Sequence, residues 1–134
     1  MSDDMKNLQG TWQMITFEMN GSPFHQAAAN SRMQIDGDNF TALGMGAIYE
    51  GKFTLDLAQN PKTIDMEFTA GPEKGGKSFG IYKLDGDKWT ICLSVGGAAR
   101  PTAFATAPNS NHALETFEKI KQNLDATLKI DTTE

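Results

Sequence analysis

Two segments of this chain carry the same punctuation. "MQIDGDNFT" (33–41) and "YKLDGDKWT" (82–90) each run an apolar stretch into Asp-Gly and leave it as a second stretch containing an aromatic. Asp-Gly accepts the positive φ angles that two-residue hairpin loops demand. Each segment therefore reads as two antiparallel strands joined by a tight turn. We read the echo as repeated turn chemistry, since little else matches at that offset.

The rest of the chain keeps the same rhythm. "KTIDMEFTA" (62–70) alternates Ile64, Met66 and Phe68 with Asp65, Glu67 and Thr69, the period-2 pattern of a half-buried antiparallel strand. In "AIYEGKFTLDL" (47–57), Tyr49, Phe53 and Leu55 share a face, with Gly51 where the strand can bend. "KWTICLS" (88–94) puts Trp89, Ile91 and Leu93 on one face and Cys92 on the other. "GTWQMITFEM" (10–19) is a strand that ends at the turn dipeptide Asn20-Gly21, and "PTAFAT" (101–106) reads as a further strand. "SPFHQAAAN" (22–30) has short helical character, with Pro23 placed to open it. The last segment fits two readings. Leu114, Phe117, Ile120, Lys121, Leu124 and Leu128 fall near helical spacing, and 113–120 equally suits a closing strand.

Many short strands joined by hairpins resolve their unpaired edges by curling into a barrel. We expect one all-β domain over residues 1–134. It is an antiparallel up-and-down barrel of about eight to ten strands with at most one or two short helices. About eight strands leave an interior that side chains fill, or that holds one small ligand. Trp12, Met14, Ile35, Phe40, Phe53, Leu55, Ile64, Met66, Phe68, Ile81, Trp89, Ile91, Leu93 and Phe104 are the expected core or lining.

"GPEKGGKS" (71–78) matches the phosphate-loop pattern letter for letter. A working phosphate loop needs a helix behind it, whose N-terminal N–H groups hold the phosphates. Here "FGIYKLDGDKWTIC" follows, broken by Gly80 and Asp85-Gly86 and rich in strand formers. The motif reads as a polar hairpin loop, and no nucleotide is expected.

Other chemistry is sparse. His25 and His112 lie far apart in loop-like segments without zinc-ligand spacing, and solvated loop positions explain them better than haem ligation does. Cys92, the single cysteine, excludes an internal disulfide and reads as a small buried or half-buried thiol rather than a nucleophile. Glu50, Asp65 and Glu67 oppose the apolar faces and read as solvated charge. Arg100 before Pro101 invites stacking on Trp12 as a plug at one barrel end. Seven methionines suit an adaptable apolar lining or a plain core filling. A net charge of −5 without a basic cluster argues against nucleic acid and anionic membranes. No window reaches the ~20 apolar residues of a membrane-spanning helix. The acidic start "MSDDMKNLQG" is unlike a secretory leader, so the expected location is cytoplasmic.

"LQGTW" (8–12), "IDGDNF" (35–40), "YEGKFTLD" (49–56), "NPKTIDM" (60–66), "GIYKLDGDKWTIC" (80–92) and "RPTAFAT" (100–106) occur in this order. Together they resemble a family of small bacterial lipocalin-like domains over roughly residues 6–120. The resemblance implies a calycin-type barrel with 113–120 as its closing strand and 121–134 as a tail. The resemblance carries no known activity, so no catalytic residue transfers. The expected function is non-covalent binding of a small apolar or amphipathic ligand, without a cofactor. The candidate contacts are Met14, Phe53, Met66 and Trp89, with Arg32, Tyr49, Tyr82 and Arg100 as polar groups. The alternatives are a protein-interaction module with a filled barrel, and a cofactor-independent isomerase or hydrolase. The last requires a titratable group facing inward beside a cavity.

Overall fold

In the computed structural model, residues 2–44 and 46–120 are described. Met45 and the tail 121–134 lie outside them. Nine strands follow one another: β1 (Gly10–Met19), β2 (Ser22–Pro23), β3 (Arg32–Asp36), β4 (Asn39–Gly44), β5 (Ala47–Asp56), β6 (Lys62–Ala70), β7 (Lys77–Asp85), β8 (Lys88–Ser94) and β9 (His112–Lys119). Two short helices accompany them, α1 (Asp3–Leu8) and α2 (His25–Ala29). Every pairing is antiparallel, and β9 returns to β1 to close an eight-stranded barrel, with the two-residue β2 as an extra on β1.

The turn chemistry works as its residues require. Gly37 and Gly86 open the two-residue loops β3–β4 and β7–β8 with φ of 65° and 61°. In each case the carbonyl of the second loop residue accepts from the next strand over: Phe53 N–H donates to Asp38 O at 2.9 Å, and Lys119 N–H to Asp87 O at 2.9 Å. The two echoing segments thus occupy matching corners at one end of the barrel.

Alternation along the strands builds the interior. Trp12, Met33, Ile35, Phe40, Phe53, Ile64, Met66, Trp89, Ile91, Leu93 and Phe117 form one buried cluster. Trp89 sits between Trp12 and Phe117, with ring centroids 5.4 Å from each. Gly51 on β5 faces inward beside the Phe40 ring, and a Cβ there would collide with that ring and with the Glu67 carbonyl. Strand β7, Lys77–Asp85, starts within the last two residues of the phosphate-loop pattern and runs on where a helix would be required. The segment 113–120 falls almost wholly within β9, so the closing strand prevails over the helix among the described residues; Leu124 and Leu128 lie outside them.

Several expectations are corrected. Pro23 does not open a helix: it pairs with Glu18 in β2, an edge position that tolerates its missing N–H, and α2 starts two residues later. The segment 101–106 is no strand. It belongs to the connection 95–111, a strap along the outside of the barrel that contacts β6, β7, β8 and β1 through Asp65, Lys83, Cys92 and Glu18. Phe104 is therefore neither core nor lining, while Ile81 is buried as expected but outside the interior cluster. Ile81 is buried on the outer face beside Cys92, and Phe104 is half-buried with the Lys83 ammonium 4.9 Å from its ring. Cys92 itself is fully buried under this strap, its Sγ 3.6 Å from the Ala105 carbonyl.

Candidate functional site

One end of the barrel is plugged. Ser2 caps α1 by accepting from the Met5 N–H, and Leu8 enters the core. The Trp12 indole donates to Leu8 O at 2.8 Å. Gln9 grips the β3–β4 turn at both peptide groups of Gly37, accepting its N–H at 2.6 Å and donating to its carbonyl at 3.0 Å. The Tyr82 hydroxyl donates to Asp4 Oδ2 at 2.7 Å, and the Lys62 ammonium joins the same oxygen at 3.0 Å. Burial by itself would raise the Asp4 carboxyl, but the Tyr82 and Lys62 contacts outweigh it and hold the group below its ordinary value. The Tyr82 phenol is pushed well above its ordinary value, first by burial and then by Asp4.

The opposite end is open, and there the interior is hollow. A cavity of about 240 Å³ lies between the floor of the core and the mouth. That equals about eight waters at liquid density, enough for one small molecule. Met33, Phe40, Met66 and Phe117 form its floor, and Met14 and Phe68 are among its walls. Small residues keep it open: Ala42 and Gly44 from β4, Ala113 from β9, and Ala27 from α2. α2 leans over one side of the mouth because Ala28 packs against Phe17 and Ala113. A larger side chain at Ala27, Ala42 or Ala113 would take up part of the space, whereas a Cβ on Gly44 would meet the Ser31 side chain.

Met14, Arg32, Tyr49 and Met66, four of the eight residues expected from the sequence, meet at this cavity. Arg32 is exposed at the rim, where its Nε donates to Gln13 Oε1 at 3.2 Å. The Tyr49 ring stands edge-on to Phe68 at 6.2 Å. The other four are elsewhere. Phe53 and Trp89 are packed in the core and do not line the cavity. Tyr82 belongs to the plug. Arg100 lies outside the barrel, paired with Asp65 at 2.7 Å, donating to Gly80 O at 2.8 Å and stacked over Phe79 at 5.3 Å. The expected Trp12–Arg100 contact is absent because the strap carries Arg100 to the outer face; Lys119 takes its place, 5.0 Å from the Trp12 ring. Asp65, read as solvated charge, is the strap's anchor.

One lining residue was not singled out from the sequence. Glu115 stands on β9 opposite Ile91 of β8 and Phe17 of β1, between Ala113 toward the mouth and Phe117 at the floor. Protein surrounds its side chain, and the exposure it retains is toward the cavity. Burial without a compensating charge raises its carboxyl from 4.5 to about 7. Period-2 alternation through Ala113, Glu115 and Phe117 carries the signal, but the competing helical reading of this segment hides it.

Among the described residues no nucleophile–base pair accompanies Glu115. The buried Ser78 hydroxyl donates to Ser94 O at 2.5 Å, and Ser94 Oγ accepts from Phe79 N–H at 2.9 Å, so both serine side chains have structural partners. His25 is exposed, and His112 Nε2 lies 2.9 Å from Ala99 O on the strap. The Cys92 thiol is raised by burial, with Glu115 and Glu18 adding to the effect, and faces away from the cavity. Among the described residues no cluster of three His, Cys, Asp or Glu side chains is arranged to hold a metal, and no helix is long and apolar enough to cross a membrane. Comparison with protein-family models, curated proteins and solved structures finds no match to this chain.

Proposed function

We propose that this chain is a lipocalin-like binding barrel that holds one small apolar or amphipathic molecule non-covalently in its open end. The observation that carries this reading is the cavity of about 240 Å³, walled by methionine, phenylalanine and small side chains while α1 plugs the other end. Binding pockets have this character: mostly apolar walls with a few placed polar groups. Met14, Met66 and Phe68 supply the apolar contact, and Tyr49, Arg32 and Glu115 the polar groups. A filled interaction barrel fits less well, because its interior would be solid. Binding of this kind needs no cofactor or nucleotide, and the acidic chain suits a cytoplasmic protein with no nucleic-acid partner.

Native mass spectrometry of the purified chain, followed by titration with short apolar molecules, tests this. Trp89 lies against Phe117 of the cavity floor, so its fluorescence reports occupancy. Ala113→Phe, which fills the cavity from β9, is expected to abolish the response in a chain that still folds. Equal binding by wild type and the filled variant would defeat the reading.

A second reading, an isomerase or hydrolase without a cofactor, has Glu115 in its favour. A carboxyl that titrates near neutrality inside an apolar cavity suits proton transfer to or from a bound molecule. It would act alone, as a general acid or base. Turnover of a carbonyl compound that Glu115→Gln removes is the result that would favour this reading over simple binding.

A further inference from the structure

Glu115 poses a question that binding of a purely apolar molecule leaves open. Its carboxylate has no hydrogen-bond or ion-pair partner among the described residues. The ion pairs there, Lys52–Asp38, Lys62–Asp4 and Arg100–Asp65, all lie away from it. Of the charged groups that share the cavity, Arg32 is engaged with Gln13 at the rim, and Glu73 and Lys77 belong to the β6–β7 end of the mouth. None of them is within ion-pairing distance of Glu115. An acidic side chain in an apolar wall is unfavourable unless something pairs with it. Leucine or alanine at this inward position would have completed the wall. Closing strand β9 instead aims a carboxylate at the empty space, two residues below the mouth-side Ala113.

We infer that the cavity selects a small primary amine, its ammonium seated on the Glu115 carboxylate and its apolar body lying against Met14, Met66 and Phe117. The inference rests on the binding reading above and names the ligand class for that same cavity. An ammonium supplies the missing counter-charge and three N–H donors, and charge-assisted hydrogen bonds are the strong ones. The methionines adapt to the shape of the hydrocarbon part. A fatty acid of equal length meets the opposite situation. Its carboxylate would be driven against Glu115, a like-charge contact that discriminates by repulsion. The neutral alcohol lies between the two, able to donate one hydrogen bond without cancelling the charge.

The experiment ranks three ligands of one length on the full chain at pH 8: octylamine, 1-octanol and octanoate, by tryptophan fluorescence and calorimetry. Octylamine is expected to bind about tenfold or more tightly than 1-octanol, with octanoate weakest. Glu115→Gln is expected to bring amine and alcohol within about twofold of each other, with a native near-UV spectrum certifying its fold. Should that variant fail to fold, the wild-type ranking decides alone. Calorimetry at pH 7 in two buffers of different ionisation enthalpy adds a second readout, because amine binding expels the proton that Glu115 carries part of the time, and alcohol binding does not. Octanol or octanoate binding as tightly as octylamine overturns the amine inference and leaves the cavity reading standing. No binding by any of the three overturns both.

Discussion

Glu115 and Phe17 are cross-strand partners on β9 and β1 that both face the cavity, Phe17 only because β1 carries an extra residue before it. The register runs Met14 to Phe117 and then Thr16 to Thr116, leaving Ile15 unpaired and half-exposed. This bulge shifts the alternation by one position. Met14 and Phe17 therefore point the same way, and an aromatic ring covers the carboxylate's surroundings. The thermodynamic consequence follows from the raised carboxyl. Between the ordinary value of 4.5 and about 7, the folded chain keeps a proton that the unfolded chain has lost. Rising pH then favours unfolding across that window, and the contribution of Glu115 levels off above it. Glu115→Gln is expected to be more stable than wild type at pH 8 by about 1–3 kcal/mol, and nearly equal to it at pH 5. Urea denaturation at the two pH values checks this, and a constant difference would contradict it.

The plug gives the opposite sign. Asp4 is held below its ordinary value in the folded chain, so its contribution is complete above that value and is lost as pH falls through the lowered one. Tyr82→Phe removes the hydroxyl that donates to Asp4 and leaves Lys62 in place. A loss of about 1–2 kcal/mol is expected, since a hydrogen bond to a charged acceptor is at stake. The same variant should speed hydrogen exchange at the Trp12 indole N–H, which bonds to Leu8 of α1. An unchanged exchange rate would mean that Tyr82 does not hold the helix down.

How much of this was legible follows from which residues carry period 2 without competition. In 62–70 and 88–94 nothing else fits the pattern, and the inward sets Ile64, Met66, Phe68 and Trp89, Ile91, Leu93 stand as expected. The Asp-Gly turns were legible because glycine meets the positive φ at the first loop position. Glu115 was not, because Leu114, Phe117 and Ile120 also sit at helical spacing, and the two periods place Glu115 on different faces. α1 offers only Met5 and Leu8 as apolar residues in "DDMKNL", too few to announce a plug. The strap fails for a different reason. "PTAFAT" alternates like a strand, but alternation does not supply a ladder partner. Its polar contacts instead go to neighbouring elements one by one, through Arg100 to Asp65 and Thr106 to Glu18.

The strap also predicts the behaviour of the single thiol. Cys92 is fully buried beneath Ala105, and burial raises its pKa, so the thiolate that reacts is scarce. Native chain at pH 8 is expected to react with a thiol reagent at least tenfold more slowly than unfolded chain. Arg100→Ala removes the contacts to Asp65, Gly80 and Phe79 that hold the start of the strap. This half-exposed pair contributes only about 1 kcal/mol or less to global stability. The variant should nevertheless raise the native labelling rate several-fold through local opening. Labelling that tracks only global stability would place the protection elsewhere.

Gly51 tests the barrel's closest internal approach. On β5 it faces inward, and β6 bulges opposite it where the register passes from Glu50–Ala70 to Gly51–Phe68. The Phe40 ring lies over the glycine, in edge-on contact with Phe68 at 5.4 Å, and Phe68 is part of the cavity wall. A methyl group at position 51 meets the Phe40 ring at 2.7 Å and the Glu67 carbonyl oxygen more closely still, so both must give. The carbonyl belongs to the backbone of β6, so relieving its contact shifts β5 against β6, and the Phe40 ring and Phe68 move as well. Gly51→Ala is expected to lose about 2–3 kcal/mol, in the range of overpacked cores. It should also weaken ligand binding, although residue 51 does not itself line the cavity. The paired change Gly51→Ala with Phe40→Leu relieves the ring contact and leaves the carbonyl contact, so it is expected to recover only a minor part of the loss. Denaturation of the two variants beside Phe40→Leu alone closes a double-mutant cycle, and strict additivity would show that the ring and the glycine are not coupled.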